Sequence, residues 1–544
     1  MENVLYLIQI CVPSTQNQEV FVNKFAKLLG YDPIAKKTNV KTEIIAGAVT
    51  FLAMAYILTV NPTEIIGSPD ASNPMAAYWP SVFIATALGA FVGTLLMAFL
   101  AKMPLAQASG MGLNSLVGGL IGGTAGYAAK FTPGQAFFLV LISGLLFLAL
   151  SLIKIKGKTF RELAFDGMPV TIKSAISVGI GLFIAYIGFQ NAGVIVSNGF
   201  TQVGLVDFTN WGSQTINSGL FIPVGGDMYI NVGATAGDAA KTAAVAIIGL
   251  FLIAILDKLN VKGSIIFGII GATLVGIPLG VTDLSVLSGN VPGISWKFWE
   301  NIGSFFTGGA TVFGSFSNVY KGEGLLPAGV SIFTVIMIVI TMCMIDMFDT
   351  MGTIVGCCSG NRILSDENNK PRNYGKIMMA DSVATCAGAM LGTSTVTTFV
   401  EAGAGVSAGG RTGLTALTTA TLFFASIFVM PVFAVIPPAA TAAALIYVGV
   451  LMMKNNIKSV DFSNAINATS AFLTIVVMVL SYSITKGIGI GLISYTFMHA
   501  AAYLIDLIKS AITKKEKPTW NISVVAIVVT ILFCIYFFVP ATLF

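Results

Sequence analysis

The stretch Thr393–Gly413, TSTVTTFVEAGAGVSAGGRTG, decides how this chain is read. It follows one segment apolar enough to cross a membrane and precedes another. Yet it carries glycines at 403, 405, 409, 410 and 413, β-branched residues at 393, 395–398 and 400, and one carboxylate, Glu401. That composition makes a poor helix. A break exposed to lipid would leave backbone N–H and C=O groups unsatisfied at roughly several kcal/mol apiece, so the stretch must be buried in protein. Once buried, a half-helix end offers free N–H groups and a positive dipole to a polar planar ligand or a carboxylate.

Composition supplies the membrane. Of 544 residues, 55% are hydrophobic and 10% charged, with a mean hydropathy of +0.87, whereas soluble domains carry about 25% charged residues. One polytopic helical unit is expected rather than several soluble domains. The net charge of +5 requires no acidic or nucleic-acid partner, because basic residues in cytoplasmic loops account for it. The six cysteines form neither a CxxC pair nor a disulfide framework and read as packing residues. The first apolar stretch, MENVLYLIQICV, lacks a basic start and a small-residue cleavage site, so the first span is expected to act as its own insertion signal.

Apolar runs of spanning length lie near 44–60, 81–101, 104–122, 135–153, 174–194, 240–256 and 263–277. A second set lies near 328–350, 376–392, 396–410, 412–434, 438–453, 465–484 and 487–508. Lysine and arginine gather at alternate junctions: Lys24 to Lys41, Lys102, Lys154 to Lys173, Lys258 and Lys262, Arg362 to Lys376, Arg411, Lys454 and Lys458, and Lys509 to Lys517. Loops 61–80 and 195–239 have none. By the positive-inside rule the basic junctions and the N-terminus are cytoplasmic, in the cell membrane. Seven is odd, so the second seven spans enter with the opposite orientation, as in an inverted repeat. Each half has a glycine-rich, polar short segment third in order, LAQASGMGLNSLVGG and TVTTFVEAGAGVSAGG, and such pairs point to a transporter's binding site. The run 521–541 is either a fifteenth span, placing the C-terminus outside, or a sign that one segment within 465–508 does not cross.

The candidate chemistry is sparse. Asp346 and Asp349, in CMIDMFDTMGTIVG, are three apart and share a helix face, and two acids so close resist joint ionisation. Asp349 reads as a ligand or proton site, or else as a helix cap; Asp346 reads equally as a coupling acid or a structural hydrogen-bond partner. Asn114 offers donors and acceptors without charge, suiting a heterocycle, or serves as an amide bridging broken backbone. Gly110 and Gly112 allow close approach or simple helix packing. Asp381 and Asp227 read as structural. His499 is the only histidine, which excludes multi-histidine metal sites and His-based triads. EAGAGVSAGGRTG lacks the lysine of a phosphate loop. No metal or cofactor is expected, and no nucleophile–base pair suggests an enzyme.

Taken in order, KTEIIAGAVTFLAMAYILTVNP, ASGMGLNSLVGG, FDTMGTIVG, LGTSTVTTFVEAGAGVSAGGRTGLTA and IPPAATAAALIYVGVLMM resemble the nucleobase–cation symporter-2 (nucleobase–ascorbate transporter) superfamily. The likeness is to its AzgA-like branch of adenine, guanine and hypoxanthine permeases and covers about residues 41–510. It implies an all-α polytopic fold of about 14 transmembrane segments in two inverted 7-helix repeats, with short strand-like breaks in spans 3 and 10. It further implies a cytoplasmic segment 1–40, a core domain of 41–153 and 328–434, a gate domain of 154–277 and 435–510, an extracytoplasmic loop 278–327 and a C-terminal segment 511–544. By the same resemblance Asp349 and Glu401 hydrogen-bond the base, Asn114 is required, backbone near Gly112 and Val400 completes the site, and Asp346 is a second functional acid. Asp346, Asp349 and Glu401 are the proton-coupling candidates.

The expected function is therefore proton-driven uptake of purine bases by elevator-like movement of core against gate, with homodimerisation through the gate. Other readings are a xanthine, uracil or anion transporter on the same fold, or a purine sensor that moves nothing.

Overall fold

The structure, a computed structural model, describes residues 27–32, 34–67, 78–122, 131–155, 158–159, 169–198, 202–206, 208, 213–216, 221–225, 228–231, 234–237, 239–261, 263–284, 287, 294, 296–307, 330, 332–358, 363–365, 371–481, 484–513, 519–520 and 522–538. Its apolar runs fold as helices, the element that satisfies its own backbone in lipid. In the first half, α1 (Val40–Met54) and α2 (Ile57–Ile66) form span 1, and α3 (Trp79–Leu96) with one π turn forms span 2. Span 3 is β1 (Gln107–Ser109) followed by α4 (Met111–Gly122). Spans 4 to 7 are α5 (Pro133–Leu152), α6 (Val170–Asn191), α7 (Ala239–Lys258) and α8 (Ser264–Gly276).

The second half repeats the order. Spans 8 and 9 are α9 (Ile332–Cys358) and α10 (Tyr374–Leu391), and span 10 is β2 (Val396–Thr398) followed by α11 (Ala402–Ser407). Spans 11 to 14 are α12 (Gly413–Ser426, continued by short turns to Ala434), α13 (Pro438–Asn456), α14 (Ala465–Leu480) and α15 (Ile484–Thr513). Among the described residues, 8 helical stretches are long and apolar enough to cross a membrane unaided. The strand-like breaks expected third and tenth are both present.

The two breaks repair each other. β1 and β2 pair antiparallel, with Gln107 opposite Thr398, Ala108 opposite Thr397 and Ser109 opposite Val396. The ladder is extended by Gly110 N–H donating to Thr395 O at 2.8 Å and Phe399 N–H to Ala106 O at 3.1 Å. All six strand residues are buried, so backbone that could not survive in lipid finds its partners inside the protein. Asp381 of α10 ties the crossing together: its Oδ1 accepts from Gln107 Nε2 at 2.8 Å, Thr350 Oγ1 at 2.9 Å and Thr398 Oγ1 at 3.5 Å. The structural reading of Asp381 is the observed one. Asp227 lies outside the described residues.

Span 1 is interrupted more mildly, at Ala55–Tyr56, where both residues keep right-handed helical dihedrals. Further on, Pro62 leaves the Leu58 carbonyl without its helical donor. Tyr56, at the interruption, is fully buried.

Packing separates the helices into two groups. Spans 1–4 contact spans 8–11, through α1 with α12, α3 with α10 and α5 with α10, while α6, α7, α8, α13, α14 and α15 contact one another. Small residues bring α6 and α13 together: a Cβ on Gly449 would fall 2.4 Å from Gly181 O. Backbones approach that closely only across glycine.

One feature differs from the sequence reading. Within 195–239, read as a loop, Ile195–Asn198 pairs with Gln202–Leu205, Ser213–Ile216 with Ala234–Gly237, and Phe221–Gly225 with Met228–Asn231. The β-branched and aromatic residues there, alternating with Gly and Asn turns, are a strand pattern. The last apolar run folds as α16 (Val524–Phe538), 15 residues long and antiparallel to α15, with Thr530 Oγ1 2.8 Å from Thr496 Oγ1 and Phe533 and Phe537 over Gly489.

Replacing Asp381 by Ala strands the Gln107 and Thr350 donors, and at about 1–3 kcal/mol per buried unsatisfied group the protein should lose roughly 2–4 kcal/mol of stability. Unfolding of the detergent-solubilised protein measures this; a variant as stable as the wild type would mean the ladder does not depend on Asp381.

Candidate functional site

Glu401 occupies the N-cap position of α11, but its side chain makes no capping bond. It turns instead to span 1, where Tyr56 Oη donates to Glu401 Oε1 at 2.6 Å. The Glu401 Oε2 atom is buried and has no partner. The break in span 1 therefore serves the break in span 10: the turn at Ala55–Tyr56 aims a phenol at the carboxylate, fixing one oxygen and leaving the other as an open acceptor.

The same phenol oxygen lies 3.6 Å from Met111 Sδ in the first turn of α4. Asn114 is one turn further along that face, fully buried, with its Oδ1 accepting from Ser394 Oγ and its Nδ2 without a partner. Asn114 thus bridges the two broken segments through its oxygen and keeps its donor end open. Ser394 could not be picked out from the sequence, since hydroxyl residues are abundant throughout 393–398.

Asp349 of α9 is half-buried and close enough to Glu401 and Tyr56 to act electrostatically on both. Asp346, one turn earlier, is fully buried and accepts from Thr385 Oγ1 at 2.9 Å. The single hydrogen of that hydroxyl is shared between Asp346 and Val396 O, which lies 3.1 Å away, so Asp346 touches the ladder through span 9 while Asp349 sides with Glu401. Gly112 faces the second helix group: a Cβ there would lie 3.3 Å from Ile484 Cδ1 of α15 and 3.6 Å from Ile180 Cγ2 of α6. Val400 O accepts from the Cys357 thiol at 3.5 Å, a contact that the reading of cysteines as packing residues did not foresee.

Other candidates fall elsewhere. His499 packs on Tyr495 with ring centroids 4.3 Å apart and lies 3.3 Å from Asn467 Oδ1. Glu43 is buried at the start of span 1 and accepts from Arg411 N–H, Thr412 N–H and Thr415 Oγ1 at 3.0, 3.3 and 2.5 Å, holding the N-terminus of α12. Among the described residues there is no group of three or more His, Cys, Asp or Glu suited to a metal ion.

The family profile described as "Permease family" matches residues 231–490. The guanine/hypoxanthine permease PbuO of Bacillus subtilis (strain 168) is 33% identical, over 86% of this chain and 93% of its own. The adenine permease AdeQ of Escherichia coli (strain K12) is 32% identical, over 85% of this chain and 88% of its own. Of solved structures, the transmembrane domain of the cyanobacterium bicarbonate transporter BicA superposes with a TM-score of 0.51 at 14% identity, covering 82% of this chain and 96% of that one. That likeness is one of fold, two inverted sevens. The family profile and the relatives above 30% identity make the chain a multi-pass membrane permease. The chain belongs to the nucleobase–cation symporter-2 family.

The Tyr56–Glu401 bond is checked by a double-mutant cycle of Tyr56→Phe and Glu401→Ala on unfolding free energy. A hydrogen bond to a charged group should give a coupling of about 1.5–3 kcal/mol. Single effects that add within about 0.5 kcal/mol would remove the bond from the site.

Proposed function

We propose that this protein takes up purine nucleobases, adenine, guanine or hypoxanthine, by proton symport. One observation carries the reading: at the crossing of spans 3 and 10, Glu401 presents one unpartnered acceptor oxygen and Asn114 one unpartnered amide donor. A purine edge sets N–H donors beside ring-nitrogen or carbonyl acceptors, so it satisfies both groups at once. A base with the wrong edge leaves a buried group unpaired, which is the stronger form of discrimination. The relatives named as guanine/hypoxanthine and adenine permeases support the same substrate class. Backbone at Gly112 and Val400 and the Asp349 carboxyl complete the site.

Asp346, Asp349 and Glu401 are the acids available for the coupling proton, since an acid that is buried in one state and hydrated in another exchanges protons between them. The packing of spans 1–4 with 8–11 supports a core that moves as a body against a gate of spans 5–7 and 12–14, with Gly112 at their contact. In this reading the protein sits in the cell membrane with its N-terminus cytoplasmic and pairs through its gate. Acids at the site argue against an anion as cargo.

Uptake of labelled hypoxanthine and adenine into cells lacking their own purine permeases tests the assignment. Glu401→Gln, which exchanges an acceptor oxygen for a donor, should reduce uptake by about 100-fold or more, the scale set by a site that leaves buried polar groups unpaired. Undiminished uptake would overturn the site. Sulfate, uracil or xanthine outcompeting the purines would overturn the substrate class.

A further inference from the structure

The acids within the first helix group take hydrogen bonds from neighbouring spans: Asp381 from three donors, Glu43 from two backbone N–H groups and a hydroxyl, and Asp346 from the Thr385 hydroxyl. Glu64, half-buried in the last turn of α2, lies outside the crossing of spans 3 and 10 and, like Glu401, has a hydrogen bond at one oxygen only. Its Oε2 accepts from Ser115 Oγ at 2.5 Å, while Oε1 is buried with no partner.

Among the described residues, no salt bridge includes this carboxyl. The elements with the main contacts to α2 are α3, α4, β1, Met430–Ala434 and α13. Of their residues only Lys454, in the last turn of α13, is charged or titratable apart from tyrosine. An intramembrane acid without a cation or a full set of donors is expensive to keep and marks a functional position. Nor can the acid move away from the third span independently: a Cβ on Gly118 would fall 2.2 Å from Glu64 O, so the backbone of α2 lies directly on α4. Ser115, its hydroxyl partner, is the neighbour of Asn114, whose amide faces the binding site.

We propose that Glu64 is a proton-binding site separate from the substrate site, exchanging protons at the Ile66 end of span 1 and linked to substrate by Ser115 and Asn114 on one turn of α4. The inference rests on the proton-symport reading above. Glu64 takes up a proton when that end of the core is open to water and holds it while the core is closed. A shift of α4 on binding substrate changes the Ser115 bond and with it the proton affinity. Glu401 is then free to serve as a reader of the base.

The test uses the purified full chain in proteoliposomes, with labelled hypoxanthine as the probe. Wild type, Glu64→Gln, Glu64→Asp and Ser115→Ala are compared for binding, for exchange without a gradient, and for accumulation under an imposed pH gradient. Glu64→Gln should keep binding and exchange within about 3-fold, lose gradient-driven accumulation by about 10-fold or more, and show flat uptake between about pH 5 and pH 8. Glu64→Asp and Ser115→Ala should retain accumulation with a shifted pH profile. Accumulation by Glu64→Gln with the wild-type pH profile would overturn the inference, as would equal loss of binding, exchange and accumulation in both Glu64 variants. A wild type that exchanges purine yet ignores the proton gradient would instead overturn the symport reading.

Discussion

Backbone hydrogen bonding inside the bilayer governs this structure. Spans 3 and 10 each leave the helix for three residues, and in lipid the exposed N–H and C=O groups would make either break prohibitive. Antiparallel pairing of Gln107–Ser109 with Val396–Thr398 cancels that cost, but only because both breaks meet at the same depth. One strand alone has no partner. The pairing requires α10 to carry Asp381 to the crossing and α9 to carry Thr350 beside it. The positions of Asn114 and Glu401 follow from the same pairing, since both lie just beyond the two strands.

The polar groups around the crossing draw their bonds from different spans. Asp381 and Asp346 receive hydroxyl and amide donors from neighbouring spans and serve to hold spans 8, 9 and 10 in register. Glu401 and Asn114 are each satisfied at one atom and open at the other. A half-satisfied polar group orders itself through the bond it has and remains available through the one it lacks. The Tyr56 phenol fixes the Glu401 carboxylate, and the Ser394 hydroxyl fixes the Asn114 amide. A site built this way is preorganised before any ligand arrives, which reduces the ordering cost of binding.

Much of this was legible in the order of residues. Apolar length, lysine alternation and two glycine-rich segments in third place gave the membrane class and the breaks, because bilayer thickness and backbone satisfaction act on local sequence. Glu401 and Asn114 were legible for a related reason: an acid or amide in an apolar run is too costly to be incidental. Tyr56 was not. In FLAMAYILTVNP an aromatic residue beside apolar ones looks like packing, and its role depends on where the turn before Pro62 points it. Glu64 carries the signal of an intramembrane acid, but its place at the end of span 1 also suits an exposed helix end.

The sequence by itself determined that the chain crosses the membrane many times, that two of its segments are interrupted, and that a few polar residues sit where polarity is expensive. These follow from properties of single segments in a low-dielectric slab. Only the tertiary structure decided which acid is held by which donor: that Asp381 is spent on the ladder, that Asp346 answers Thr385, and that one oxygen of Glu401 is taken by Tyr56 345 residues away. Hydrogen bonds are short-ranged and directional. Partners so far apart in the chain are set by how the helices pack, and no local pattern records them.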